Sequence, residues 1–84
     1  MKKEITLPKW FDGELYEEGD TVRNPYSGEE IELNAVELSM YDFIMGATMV
    51  IEMGMSKPEV VKDLRKGLDW FRKNNNKAYM TLLD

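Results

Sequence analysis

The longest apolar stretch of the chain, residues 35–54, constrains the fold more than any other part of the sequence. It reads AVELSMYDFIMGATMVIEMG. Asn34 precedes the stretch and Glu37 follows three residues later, which is the capping-box arrangement at the start of a helix. Gly54 can end the helix in the left-handed conformation that glycine adopts without strain. The stretch therefore predicts a helix over residues 35–53.

Polar residues form only one narrow stripe on this helix, and apolar side chains cover the rest of its circumference. The stripe consists of Glu37, Tyr41, Thr48 and Glu52. A helix that is apolar around most of its surface is usually buried on several sides. Gly46 and Ala47 at its middle would let another backbone approach closely. We therefore expect a core helix that the remaining elements cover.

A membrane-spanning helix is the main alternative for this stretch. Such a helix needs about 20 largely apolar residues. Here the uncharged part covers only residues 43–51, with Asp42 and Glu52 at its ends. A carboxylate in the hydrocarbon region is costly, so we expect no membrane insertion.

Methionine is concentrated in the same stretch, because five of the seven methionines lie within residues 40–55. Methionines at helical spacing usually fill a core, and we favour this interpretation. The alternative is an adaptable binding surface, since the flexible methionine side chain repacks around different partners. A chain of 84 residues has few elements to cover so wide an apolar surface, and surplus apolar area indicates a partner. The candidate contacts are Met45, Met49 and Met53.

Upstream of the helix, the sequence predicts a β-hairpin within residues 10–33. Residues 24–28, Asn-Pro-Tyr-Ser-Gly, form the clearest turn, because Asn bonds the backbone ahead of it, Pro presets φ and Gly supplies a positive φ. Strands are expected at residues 21–23 and 29–33. A lone hairpin is marginal in water, so it must pack on the helices. The side chains expected to do so are Trp10, Phe11, Val22, Ile31 and Leu33.

Residues 57–73 carry the most regular helical pattern, with apolar side chains at helical spacing. These are Val60, Val61, Leu64, Leu68 and Phe71. Ser56 and Glu59 match a second capping box, with Pro58 in the first turn, where its missing amide is not needed. Three asparagines at 74–76 should stop the helix, since Asn tolerates left-handed backbone and caps a following segment. A short helix over residues 77–83 follows.

Trp70 falls outside the apolar stripe of the second helix. A tryptophan in this position is most simply a rim residue that covers the edge of the core. The alternative is a partner anchor, because tryptophan is enriched at binding hot spots. We therefore add Trp70 to the candidate partner-binding residues. The predicted fold is a single small α+β domain, residues 1–84, in which an N-terminal β-hairpin packs on two long helices and a short C-terminal one.

The formal net charge of −5 is unevenly distributed. Residues 1–34 hold four basic and nine acidic residues, whereas residues 57–77 hold seven basic and three acidic residues. We interpret these segments as mutually complementary, solvated faces. Nucleic acid is a modest alternative partner for the basic helix. The negative net charge disfavours a dedicated nucleic-acid-binding protein, because neutralisation of phosphates by basic side chains dominates the affinity for nucleic acid. We therefore do not expect nucleic acid as a partner.

The chain contains neither histidine nor cysteine, which removes the usual general base, the thiol nucleophile and disulfides. No glycine-rich phosphate loop or EF-hand spacing is present. Acids of the hairpin region could bind a hard cation, but they lack the ordered spacing of a dedicated loop. They are Glu17, Glu18, Asp20, Glu29, Glu30 and Glu32. We predict no enzymatic activity, catalytic residue, cofactor or metal site, and a cytoplasmic location, since residues 1–10 have no apolar signal region.

The stretches WFDG, YEEGD, NPYSGEE, ELSMYDFIMG, KGLDWFRKNN and AYMTLLD run through most of the chain from Trp10 onward. In these stretches the chain resembles small uncharacterised proteins of tailed cyanophages and related aquatic phages. The resemblance implies a viral protein in the cytoplasm of a host cell, and it carries over no catalytic residue.

Two functional hypotheses follow. The leading one is a non-enzymatic protein–protein interaction module that uses the apolar surface of residues 35–54, either in a homodimer or with a host protein. The alternative is a small acidic phage effector that binds and modulates a host protein through its hairpin acids.

Overall fold

The computed structural model of the chain describes residues 6–11, 13–55 and 57–83. Its elements are β1 (Asp20–Arg23), β2 (Glu30–Leu33), α1 (Ala35–Glu52), α2 (Pro58–Asn74) and α3 (Asn76–Leu82). The two strands form an antiparallel hairpin and the three helices follow it, so the predicted α+β class is confirmed. Among the described residues, no helix combines the length and apolar character needed to cross a membrane.

The hairpin turn is built as its sequence predicts. The side-chain oxygen of Asn24 accepts a hydrogen bond from the Tyr26 amide at 2.8 Å, and Gly28 has a φ of 80°. The strands pair so that Val22 lies opposite Ile31. The side-chain amide of Asn24 donates to the Thr81 carbonyl at 2.9 Å, which ties the turn to α3.

Both ends of α1 carry the predicted caps. The Glu37 amide donates to Asn34 Oδ1 at 2.8 Å, and the Asn34 amide donates to Glu37 Oε1 at 2.9 Å. At the other end, Gly54 has a φ of 77° and its amide donates to the Ile51 carbonyl at 3.0 Å. The next amide, of Met55, donates back to the Val50 carbonyl at 3.2 Å, which completes a Schellman motif.

The core lies where β2 and the three helices meet. Its buried apolar residues are Leu33, Met40, Ile44, Ala47, Phe71, Ala78 and Leu82. The other hairpin-region residues expected to pack on the helices do so in partly buried positions, namely Trp10, Phe11, Val22 and Ile31. Gly67 lets α2 approach α1 closely, because a Cβ there would lie 3.2 Å from Ile44 Cγ1.

The start of α2 differs from the prediction. Ser56 lies outside the described residues, but the N-cap of the helix is Lys57, which makes no side-chain capping bond. The helix therefore begins at Pro58, one residue later than predicted, and the capping box predicted for Ser56 and Glu59 involves a residue outside the described ones. The reason is Pro58, which disfavours helical backbone at the residue before it and so holds Lys57 in the extended region, at φ −116° and ψ 156°.

The asparagine run stops α2 by one of the two mechanisms expected, the capping of the following helix. Asn75 ends α2 and caps α3, with its side-chain oxygen accepting from the Ala78 amide at 3.1 Å. Its φ of −151° is not left-handed, and every positive φ among the described residues belongs to a glycine. Capping of the next helix, and not tolerance of left-handed backbone, accounts for this asparagine.

Candidate partner-binding surface

Helix α1 is covered by other elements except along one face, so the expectation that it is buried around most of its surface holds only in part. Met40, Ile44 and Ala47 face the core, where α2 and β2 pack against the helix. On the opposite side, Met45, Met49 and Met53 are 39%, 62% and 64% exposed. The core interpretation of the methionine cluster therefore holds for Met40 alone.

The three exposed methionines form one continuous surface, which we call the methionine face (Met45, Met49 and Met53). They are spaced by four residues, so Met45 and Met49 lie one above the other on α1, and Met53, the C-cap residue, continues the line. Met55, just after the helix, is also exposed, at 63%. The structure therefore brings together three of the four residues predicted to contact a partner.

Trp70, the fourth candidate, is engaged within the chain. It is partly buried and packs against the core. Its indole N–H donates to the Thr6 carbonyl at 3.3 Å, and its ring meets Phe71 at a centroid distance of 6.1 Å. These contacts match the simpler interpretation of Trp70 as a residue that covers the edge of the core.

Beside the methionine face lies an open groove with a volume of about 370 Å³. Its walls come from α1, from the first turns of α2 and from the loop before β1. The apolar lining residues are Phe43, Ala47, Val50 and Val60, together with the backbone of Gly13 and Gly46. Three acidic residues complete the lining, namely Glu14, Asp42 and Asp63. We call this feature the acid-rimmed groove.

Local contacts hold the loop wall of the groove in place. The Tyr16 amide donates to Ser39 Oγ at 2.9 Å, and the same hydroxyl donates to the Ala35 carbonyl at 2.8 Å. Phe11 packs on Phe43 of α1 with ring centroids 5.5 Å apart. The segment that carries Glu14 is thus fixed to α1 on both sides.

Negative charge at the rim affects the neighbouring phenol. Partial burial raises the pKa of Tyr16 above its ordinary value of 10.0, and the charges of Asp42 and Glu14 raise this pKa further. Tyr41 lies on α1, beside Asp42, and burial alone raises the pKa of Tyr41. Both shifts favour the neutral phenols in the folded protein.

Within the described residues, ion pairs are local and none connects the hairpin with α2. Arg23 and Glu30 lie 4.0 Å apart across the hairpin, while Asp69 contacts Arg72 at 2.8 Å and Lys73 at 3.1 Å. Hydrogen bonds from Lys73 and Arg72 lower the pKa of Asp69. The expected charge complementarity between acidic and basic segments is thus not formed by ion pairs among these residues. A cation–π contact, Lys66 Nζ at 5.7 Å from the Trp10 ring centroid, does join the two segments.

The acids of the hairpin region are all exposed, namely Glu17, Glu18, Asp20, Glu29, Glu30 and Glu32. In the described part of the chain, no three acidic side chains converge closely enough to hold a metal ion. Sequence reasoning missed the acids that do share a feature, Glu14, Asp42 and Asp63. They come from a loop and two helices, so no local spacing reveals them.

Comparisons of the chain with protein-family models, with curated proteins and with solved structures found no match. The resemblance to phage proteins stays a prediction.

Proposed function

We propose that this protein is a protein–protein interaction module whose contact surface is the methionine face. The observation that carries the proposal is the exposure of three methionines in line along α1 and its C-cap, at 39%, 62% and 64%. Adjacent exposed apolar side chains are a common feature of binding surfaces. Methionine suits this role, because its unbranched side chain and polarizable sulfur adapt to the shape of a partner.

The fold supplies a rigid base for this surface. On its inner side α1 presents Met40 and Ile44, which are 0% and 1% exposed, to the core. Its two ends are fixed by the capping box and by the Schellman motif. A partner can therefore bind without ordering the helix first, which lowers the entropic cost of association. The partner is a second copy of the chain or another protein, a host protein if the phage resemblance holds.

The test compares the triple variant Met45→Gln, Met49→Gln, Met53→Gln with the matched variant Met80→Gln, which changes an exposed methionine of α3. Light scattering at two protein concentrations measures self-association, and affinity capture from lysate measures other partners. We expect the wild type to form a dimer or to retain a defined protein, the triple variant to lose that interaction and Met80→Gln to keep it. A wild type that stays monomeric and captures nothing, or a triple variant that behaves as the wild type does, would contradict the proposal.

A further inference from the structure

We infer that the acid-rimmed groove seats a basic amphipathic helix of another protein. An apolar side chain of that helix would enter the groove, and its lysines or arginines would face Glu14, Asp42 and Asp63. The inference rests on the proposed function and specifies the chemistry of the partner.

The shape and lining of the groove fit an apolar side chain. Small-molecule sites typically have volumes of about 300–1,000 Å³ and enclose most of their ligand. This groove, at about 370 Å³, is near the lower limit and is open along α1. The groove and the methionine face share α1, so one extended partner segment can contact both. A helix laid in an apolar groove is a common mode of peptide recognition.

Gly46 independently indicates that the backbone of a partner passes close to the groove. It lies in the middle of α1, where glycine costs about 1 kcal/mol of helix stability relative to alanine. A Cβ added there would meet no atom within 4 Å. The packing of the described chain therefore gives no reason for a glycine at this position. A partner backbone that passes close to the groove floor would give one.

The acidic residues of the groove favour a partner segment that carries positive charge. Glu14 and Asp42 are exposed and Asp63 is half-buried. None of the three forms an ion pair with a described residue. Cations of a partner helix would lie beside three acidic residues that have no ion-pair partner among the described residues, and such charge complementarity favours association and specificity.

A second copy of the chain is the less suitable occupant. A two-fold symmetric contact places the same patch on both sides. Such a contact would bring Asp42 and Glu52 of both copies into one interface, in a chain whose net charge is −5. Juxtaposed like charges disfavour an interface. A basic helix removes this repulsion and neutralises the rim.

The test uses a synthetic leucine/lysine peptide of about 15 residues, long enough to form a helix on binding, with leucines at helical spacing. A leucine/glutamate peptide of the same pattern is the charge control. Calorimetry measures the Kd of each peptide for the wild type and for three variants. The first is Asp42→Asn with Asp63→Asn, which removes two rim charges. The second is Glu29→Gln with Glu32→Gln, which removes two charges from the exposed hairpin. The third is Gly46→Leu, which fills the groove.

We expect the double rim variant and Gly46→Leu each to weaken binding of the lysine peptide by about 10-fold or more, and the hairpin variant by less than about 2-fold. The glutamate peptide should bind at least about 10-fold more weakly than the lysine peptide. Equal losses in the rim and hairpin variants, unchanged binding to Gly46→Leu, or equal binding of both peptides would each overturn the inference.

Failure of this inference is distinguishable from failure of the proposed function. If the lysine peptide does not bind but the wild type forms a dimer that the triple methionine variant abolishes, the groove inference falls and the interaction module stands. If neither the peptide nor any other partner, including a second copy, depends on α1, both fall.

Discussion

At the scale of single residues, one buried carboxylate connects three helices. Glu37 is only 6% exposed; its Oε1 accepts from the Asn34 amide and its Oε2 accepts from Asn75 Nδ2, each at 2.9 Å. The Asn75 side-chain oxygen in turn accepts from the Ala78 amide. The bond to Asn34 was predictable from the spacing of a capping box. The bond to Asn75 was not, because the two residues are 38 positions apart.

Replacing Glu37 with glutamine should lower the free energy of unfolding by about 1–3 kcal/mol. A glutamine has only one acceptor oxygen, so one of the two donors that Glu37 now satisfies would face an N–H group. Asn75 cannot reverse its amide without losing its bond to Ala78. Urea denaturation followed by circular dichroism measures the change. The exposed Glu32→Gln is the control and should stay within about 0.5 kcal/mol of the wild type. Equal changes in the free energy of unfolding for the two substitutions would show that the hydrogen bonds of Glu37 do not stabilise the fold.

Gly19 should not tolerate a side chain. A Cβ at this position would overlap the Leu33 carbonyl oxygen and lie 2.8 Å from Asn34 Cα. Because these are backbone atoms at the junction of β2 and α1, they cannot move aside as a flexible side chain can. Gly19→Ala should therefore lower the free energy of unfolding by about 1–3 kcal/mol.

Gly46→Ala is the matched control, because its new Cβ meets nothing within 4 Å. It should raise the free energy of unfolding by about 0.5–1 kcal/mol, since alanine favours the helix. Urea denaturation of both variants checks the pair. A Gly19→Ala variant as stable as Gly46→Ala would contradict the packing of this loop on β2.

At the scale of elements, α1 shows where sequence patterns stop being informative. The helix and both its caps follow from local signals. Its orientation does not, because Met40 on the buried side and Met49 on the exposed side are the same residue type. A helix that is apolar all round carries little amphipathic signal. Which side of α1 stays open is decided by where the other elements of the fold pack against it.

Truncation of individual methionines tests this orientation. Met40 is fully buried, so Met40→Ala should lower the free energy of unfolding by about 2–5 kcal/mol through lost contacts and a cavity. Met49 is 62% exposed, so Met49→Ala should change the stability by no more than about 0.5 kcal/mol. Chemical denaturation of the two variants gives both values. A loss at Met49 as large as that at Met40 would mean that the methionine face is covered.

At the scale of the whole molecule, the fold class was predictable and the groove was not. The hairpin turn and the helices have local signatures, such as the Asn24 turn and the periodicity of α2. The groove combines a loop residue, Glu14, with Asp42 of α1 and Asp63 of α2. Packing alone brings these residues together. Their joint charge and the exposed Gly46 therefore become visible only in three dimensions.

The environment of two tyrosines also makes the stability of the folded chain decrease at alkaline pH. The pKa values of Tyr16 and Tyr41 are raised in the folded state. The resulting stability is fully present below the unfolded value of about 10 and is lost as the pH rises through the folded values. We expect the Tm to fall as the pH rises above about 10, and to fall less in a Tyr16→Phe, Tyr41→Phe variant. Tyr26→Phe, at a residue 97% exposed, is the control. An equal fall of Tm in all three proteins would show that these phenols are not the cause.

The most direct test that the methionine face binds a partner is a nuclear magnetic resonance titration with labelled methionine methyl groups. The leucine/lysine peptide is added stepwise to the wild-type protein. We predict that the methyl signals of Met45, Met49 and Met53 shift together and saturate, while those of buried Met40 and of Met80, 55% exposed on α3, change little. Saturating shifts at Met80 without shifts at Met45, Met49 and Met53 would contradict the assignment of α1 as the contact surface, as would an unchanged spectrum from a protein that also forms no dimer through α1.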